Sequence, residues 1–200
     1  MRTQKISGKY LKTKVLVSGF TLIEVLVAVS ILGVLIAIAM PSFTTTIRRF
    51  RSEAIRDDLI ASLQVARSEA IRRGVSNSVT ISRTPASGSC MADTTVSGQW
   101  SCGWQIFIDA NGNNIFDDGA ANLIQQSEVP TGFSVTDISP APSNFAVATR
   151  WGQFDRTLQL VVAPLLSGTA APSDPSANAI CLGAGGVLTK KKQTTGNVIC

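Results

Sequence analysis

Between Phe20 and Met40 the chain reads FTLIEVLVAVSILGVLIAIAM, an apolar run whose only charged side chain is Glu24. As a helix rising 1.5 Å per residue it would reach about 32 Å, enough to cross the hydrocarbon core of a bilayer. Arg2, Lys5, Lys9, Lys12 and Lys14 precede it with no acid among them. The positive-inside rule keeps that end in the cytoplasm and sends the chain after Pro41 outward. A cleavable secretory signal has an apolar core of only about 7 to 15 residues, closed by a small-residue site, and this run fits neither requirement. A plain signal anchor explains the length but not Glu24, because a carboxylate in hydrocarbon costs on the order of a few kcal/mol unless a partner satisfies it.

The formal charge of +5 suggests a nucleic-acid partner until its position is considered. The five cations before the run supply the whole excess. From Phe20 onward there are 13 basic and 13 acidic side chains, and beyond Arg73 six basic and eight acidic. The four cysteines, Cys90, Cys102, Cys181 and Cys200, suggest disulfides in an oxidising compartment. Near pairs Cys90 with Cys102 and Cys181 with Cys200 would close short loops, although four cysteines allow three connectivities. A zinc site lacks both CxxC spacing and any histidine. No metal or other cofactor is expected.

Gly19-Phe20-Thr21-Leu22-Ile23-Glu24, behind its basic leader and ahead of the apolar run, resembles the leader of type IV pilins and type II secretion pseudopilins. The resemblance implies cleavage after Gly19 by an inner-membrane prepilin peptidase and N-methylation of Phe20. Glu24 would then pair with the new amino group of its own chain or of a neighbour, an assembly contact that offsets its desolvation.

After Pro41, Ile55, Leu59, Leu63, Ala66 and Ala70 form a stripe on one helical face, with Arg56, Asp57, Arg67, Arg72 and Arg73 mostly off it and Gly74 as the stop. A long helix over 20–73 follows, weakened at Gly33 and Pro41. From residue 75 the pattern turns strand-like, with strands expected at 78–82, 104–109, 123–129, 133–138, 145–150, 157–162, 179–182 and 186–190, and an exposed loop at 167–177. The fold class is therefore α+β: a long amino-terminal transmembrane and amphipathic helix packed on a mainly antiparallel β domain. The divisions are 1–19 leader, 20–41 transmembrane half-helix, 42–74 amphipathic half-helix and 75–200 periplasmic β domain.

Gly103, Trp104, Phe107 and Asp109, followed by an Asn/Gly turn, form a GW-x-x-F-x-D pattern similar to the GspH/FimT family of minor pilins and pseudopilins. The resemblance implies a structural subunit of a type IV pilus or type II secretion pseudopilus. It would be held in the inner membrane, its carboxyl-terminal domain in the periplasm. Its partners would be other pilin or pseudopilin subunits, prepilin peptidase, an inner-membrane assembly platform and membrane lipid.

Three other readings are weaker. Asp109, Asn111 and Asn113 alternate like calcium ligands, but Asn114 stands where an EF-hand needs glycine and Ala120 where it needs glutamate. An enzyme would have to work without histidine, and the sequence contains no nucleophile elbow or phosphate loop. Relatives that bind DNA for uptake use a GRxR-type motif near the carboxyl terminus. Here that place reads Gly186-Val187-Leu188-Thr189, leaving Lys190, Lys191 and Lys192 as the only candidate DNA contacts. A solvated charge cluster explains those lysines better.

Overall fold

Helix α1, Leu22–Arg73, divides between two compact units, Met1–Ser42 and Phe43–Cys200. The structure, a computed structural model, describes residues 19–75, 79–85, 90, 97–117, 122–183 and 185–192, the side chains of 39–42 excepted. The division falls beside Pro41, whose missing N–H removes one bond from the helical ladder. Among the described residues no single helix is long and apolar enough to cross a membrane. The pair Leu22–Ile38 and Phe43–Arg73 meets that requirement together, by length and composition only. By backbone hydrogen bonding the helix is assigned as one element over Leu22–Arg73, through Gly33 and Pro41.

In the first unit, the described side chains from Phe20 to Ile38 are exposed on every face of the helix. In the second, sequence periodicity decides what is buried. Ile55, Leu59, Leu63, Ala66 and Ala70 are all buried, forming one continuous core with both sheets of the β domain. Gly74 ends the helix at φ +67°, its N–H donating to the Ala70 carbonyl at 3.1 Å.

One sheet has the order β3-β2-β1-β5, built from β1 Val79–Arg83, β2 Trp104–Ile108, β3 Leu123–Ser127 and β5 Phe145–Ala148. The other runs β4-β6-β8-β9, built from β4 Phe133–Asp137, β6 Leu158–Leu166, β8 Asn178–Leu182 and β9 Leu188–Lys192, with β7 Thr169–Ala170 paired to β6. All pairings are antiparallel. The expected α+β class is the observed one.

Several strand limits differ from expectation. β6 runs on to Leu166 because Pro164 need not donate: its carbonyl accepts from Ala171 and Leu165 donates to Gly132. The supposed loop at 167–177 therefore contains β7 and ends in buried Ser176 and Ala177. β5 stops at Ala148 because Thr149 to Gly152 form a hydrogen-bonded turn. β2 stops at Ile108, where Asp109 turns to cap the following loop. β3 ends at Ser127, ahead of Pro130. β1 and β9 lie later than expected, at 79–83 and 188–192, and Ser78 falls outside the described residues.

Cys90 and Cys102 form a disulfide that ties the chain ahead of β2, with a Cα–Cα distance of 5.5 Å. Cys181 is also disulfide-bonded; Cys200 lies outside the described residues.

Gly103 lies just before β2 at φ +103°, where a Cβ would sit 2.1 Å from the Ser127 carbonyl oxygen. Gly112, at φ +75°, has open space around it. Gly103→Ala should therefore cost about 3 kcal/mol or more, and Gly112→Ala about 1 kcal/mol, as read from urea midpoints of the globular unit. Equal costs would mean that backbone strain, not the close approach to β3, fixes Gly103.

Candidate functional site

At the start of α1, Thr21 and Glu24 bind each other reciprocally. The Thr21 N–H and hydroxyl both donate to Glu24 Oε2, at 2.8 and 2.9 Å, and the Glu24 N–H donates to Thr21 Oγ1 at 3.3 Å. This is a capping box, with Thr21 as N-cap and Glu24 three residues on, and it satisfies two orphan helix-end donors. Glu24 is also well placed for the positive end of the helix dipole. Its Oε1 accepts nothing among the described residues. Farther along, the Ser30 hydroxyl donates to the Leu26 carbonyl at 2.8 Å. The polar side chains of the apolar run are thus bonded within their own helix, as an apolar environment requires. Gly19 and Phe20 precede the cap and are exposed. The Thr-x-x-Glu spacing was the available signal for the cap, and periodicity alone passes over Thr21.

The candidate DNA contacts lie on β9, at the edge of the second sheet. Lys190 Nζ donates to Asp57 at 3.1 Å, and Lys192 Nζ to Glu53 at 2.8 Å. Residues alternate across a strand, so Lys191 faces the other way and remains exposed. Two of the three lysines are therefore committed to carboxylates one helical turn apart on α1. Charged residues on an edge strand also discourage pairing with another chain.

Beside this contact a polar layer joins α1 to β8. Arg56, expected off the packed stripe, is buried: Nη1 donates to Asn178 Oδ1 at 3.3 Å and Nη2 to Asp57 at 2.9 Å. Asn178 Nδ2 donates to Ser52 Oγ at 3.0 Å. The arginine is buried because Asn178 and Asp57 satisfy its guanidinium there.

The GW-x-x-F-x-D pattern has a packing role. Trp104 is fully buried, Phe107 packs on Phe116 with ring centroids 5.4 Å apart, and Gly103 permits the close approach to β3. The Asp109 oxygens accept from the Gly112 and Asn114 N–H groups, each at 2.7 Å. Asn113 N–H donates to Asn111 Oδ1 at 3.1 Å and Asn113 Nδ2 to Asp117 at 2.6 Å. The side chains read as alternating metal ligands thus serve as acceptors within a tight turn. Among the described residues no group of three or more acidic, cysteine or histidine side chains is placed to hold a metal.

Two family models match the chain. Residues 56–150 match the one described as Type II transport protein GspH, and residues 16–40 the one described as Prokaryotic N-terminal methylation motif. No curated protein and no solved structure matches.

Hydrogen bonding from Lys192 holds the Glu53 carboxyl below its ordinary 4.5. Burial pushes Asp57 upward, but bonds from Lys190 and Arg56 outweigh it and hold that group below 3.8. Because both values are lowered on folding, the resulting stability is complete above the ordinary values and is lost as pH falls through the lowered ones. Lys190→Gln with Lys192→Gln should cost about 1 kcal/mol at neutral pH, since exposed ion pairs contribute about 0.2–1 kcal/mol each. Urea midpoints should converge with those of the parent in acid, and a gap that persists below the carboxylate range would contradict the pairing.

Proposed function

This chain belongs to the GspH-type pilin-like proteins, and on that premise we propose that it serves as a minor pilin or pseudopilin: a structural subunit, not an enzyme, of a type IV pilus or type II secretion pseudopilus. The observation that carries the reading is the capped amino terminus of an otherwise apolar helix. Glu24 uses one oxygen for Thr21, and among the described residues no donor reaches the other.

Cleavage after Gly19 by prepilin peptidase would create an ammonium, methylated, at Phe20, next to Thr21. That cation is the partner Glu24 Oε1 lacks, whether supplied by the same chain or by another subunit. Until assembly the subunit is held in the inner membrane, with its carboxyl-terminal domain in the periplasm. An assembly platform then moves the helix from lipid into a bundle of like helices. Such a transfer exchanges one apolar surround for another, so apolar burial drives it weakly and close packing with a satisfied charge supplies selectivity. Within such a bundle a Glu24 without its cation would be an uncompensated charge.

DNA capture by Lys190, Lys191 and Lys192 is the runner-up, and it is disfavoured by the carboxylates that already hold two of those lysines. Neither reading requires a cofactor.

Mass spectrometry of the membrane-extracted protein should find a mature amino terminus at methylated Phe20, and an intact leader in cells with active peptidase would sink the processing step. Glu24→Gln should insert normally yet lower recovery in sheared filaments by about tenfold or more, given the cost of breaking a buried pair. Unchanged recovery would reduce Glu24 to a helix cap.

A further inference from the structure

The two ends of the Phe43–Cys200 unit carry complementary features. At one end, Thr149 to Gly152 form a turn with Trp151 at its tip, 71% exposed, and the Arg150 guanidinium lies 4.8 Å from the centre of the indole. The turn sits against the last turns of α1. A Cβ on Gly152 would lie 2.9 Å from Ile71 Cδ1, and one on Gly186 2.7 Å from the Gly152 carbonyl oxygen. Arg67 reaches the same place, its Nη1 donating to the Gly186 carbonyl at 3.4 Å, and Ile71 and Val187 are exposed beside it. Arginines outnumber acids here. Arg72 and Arg73 both pair with Glu69, while Arg67 and Arg150 have no carboxylate partner among the described residues.

At the other end, a groove of about 620 Å³ opens between the end of β3 and the start of β4. Cys102, Val129, Pro130, Phe133 and Leu165 give it apolar walls, and Glu128 and Thr131 stand exposed along it. A cavity of this size admits an indole. Glu128 has neither a hydrogen bond nor an ion pair among the described residues.

Strand pairing keeps the two features apart. Val79 pairs with Ala148, just ahead of the Trp151 turn. Arg83, at the far end of β1, pairs with Trp104, and Trp104 with Ser127, just ahead of Glu128. Four residues of strand separate them by at least about 13 Å, so the indole of one chain cannot enter its own groove. A second copy can supply it. Charge favours this unlike pairing: two Trp151 ends brought together would set arginines against arginines, whereas the groove offers the unpaired carboxylate of Glu128.

We propose that the Trp151 end of one subunit docks in the Glu128 groove of a second copy, with the indole against Val129, Pro130 and Leu165 and Arg150 paired with Glu128. Tryptophan and arginine are the residues that most often anchor such contacts. A contact between unlike surfaces leaves a free turn at one end of the pair and a free groove at the other, so it repeats, and it builds a helical filament when its rotation does not close. It lies wholly within Phe43–Cys200 and rests neither on the apolar helix nor on Glu24.

Sedimentation of the full chain in detergent micelles tests the contact. The parent should grow beyond dimers as its concentration rises. Trp151→Ala should weaken association about thirtyfold or more, as loss of an aromatic hot spot does, and Glu128→Lys with Thr131→Lys should weaken it from the groove side. All three positions are exposed, so the fold is spared. An equimolar mixture of the two variants should form dimers and nothing larger, because each supplies the surface that the other lacks. Association that survives in both variants belongs to the apolar helices and overturns the contact while the membrane-anchored reading stands. A mixture that stays monomeric overturns the pairing of unlike ends. A parent that stays monomeric overturns the self-contact and leaves the groove to a different subunit.

Discussion

The structure depends on one helix whose two parts carry different surfaces. The part ahead of Pro41 is apolar around most of its circumference, and its described side chains are exposed on every face. The part after it has one buried face, closed by two antiparallel sheets into a single core. A polar side chain is tolerated in the first part only where it is bonded within the helix. Thr21, Glu24 and Ser30 all meet that condition.

From this constraint the β domain reads as a platform that holds the second half of α1 firmly. Leu59 and Leu63 fill the core, while the Ser52, Arg56 and Asn178 layer fixes the helix against β8 through buried hydrogen bonds. Lys190 and Lys192 extend the attachment from β9 to the exposed flank of the helix. The lysine cluster thereby serves internal docking and protection of a sheet edge, for which a compact run of like charge is well suited.

Much of this was legible in the residues. The helical stripe, the stop at Gly74, the antiparallel sheets and the near disulfide between Cys90 and Cys102 follow from periodicity, turn chemistry and cysteine spacing. Other features depend on contacts distant in sequence. Arg56 looked like a solvated residue because nothing local reveals Asn178 across the core. β9 runs two residues past the strand expected at 186–190, because pairing with β8, not the lysines themselves, sets where it ends. Pro164 hid the length of β6, since the bonds that make it tolerable come from Gly132 and Ala171. At the site, Glu24 was conspicuous as a lone charge, while Thr21 was hidden by being an ordinary helix-start residue.

The account turns on whether Glu24 meets a processed amino terminus, of its own chain or of another subunit. Zero-length carbodiimide cross-linking of assembled filaments, followed by peptide mass spectrometry, measures this directly, because it joins a carboxylate only to an amine in contact with it. The account predicts a linkage from Glu24 to a mature amino-terminal residue, of its own chain or of a second subunit, in filaments. Filaments in which Glu24 stays unlinked to any amino-terminal residue would contradict it.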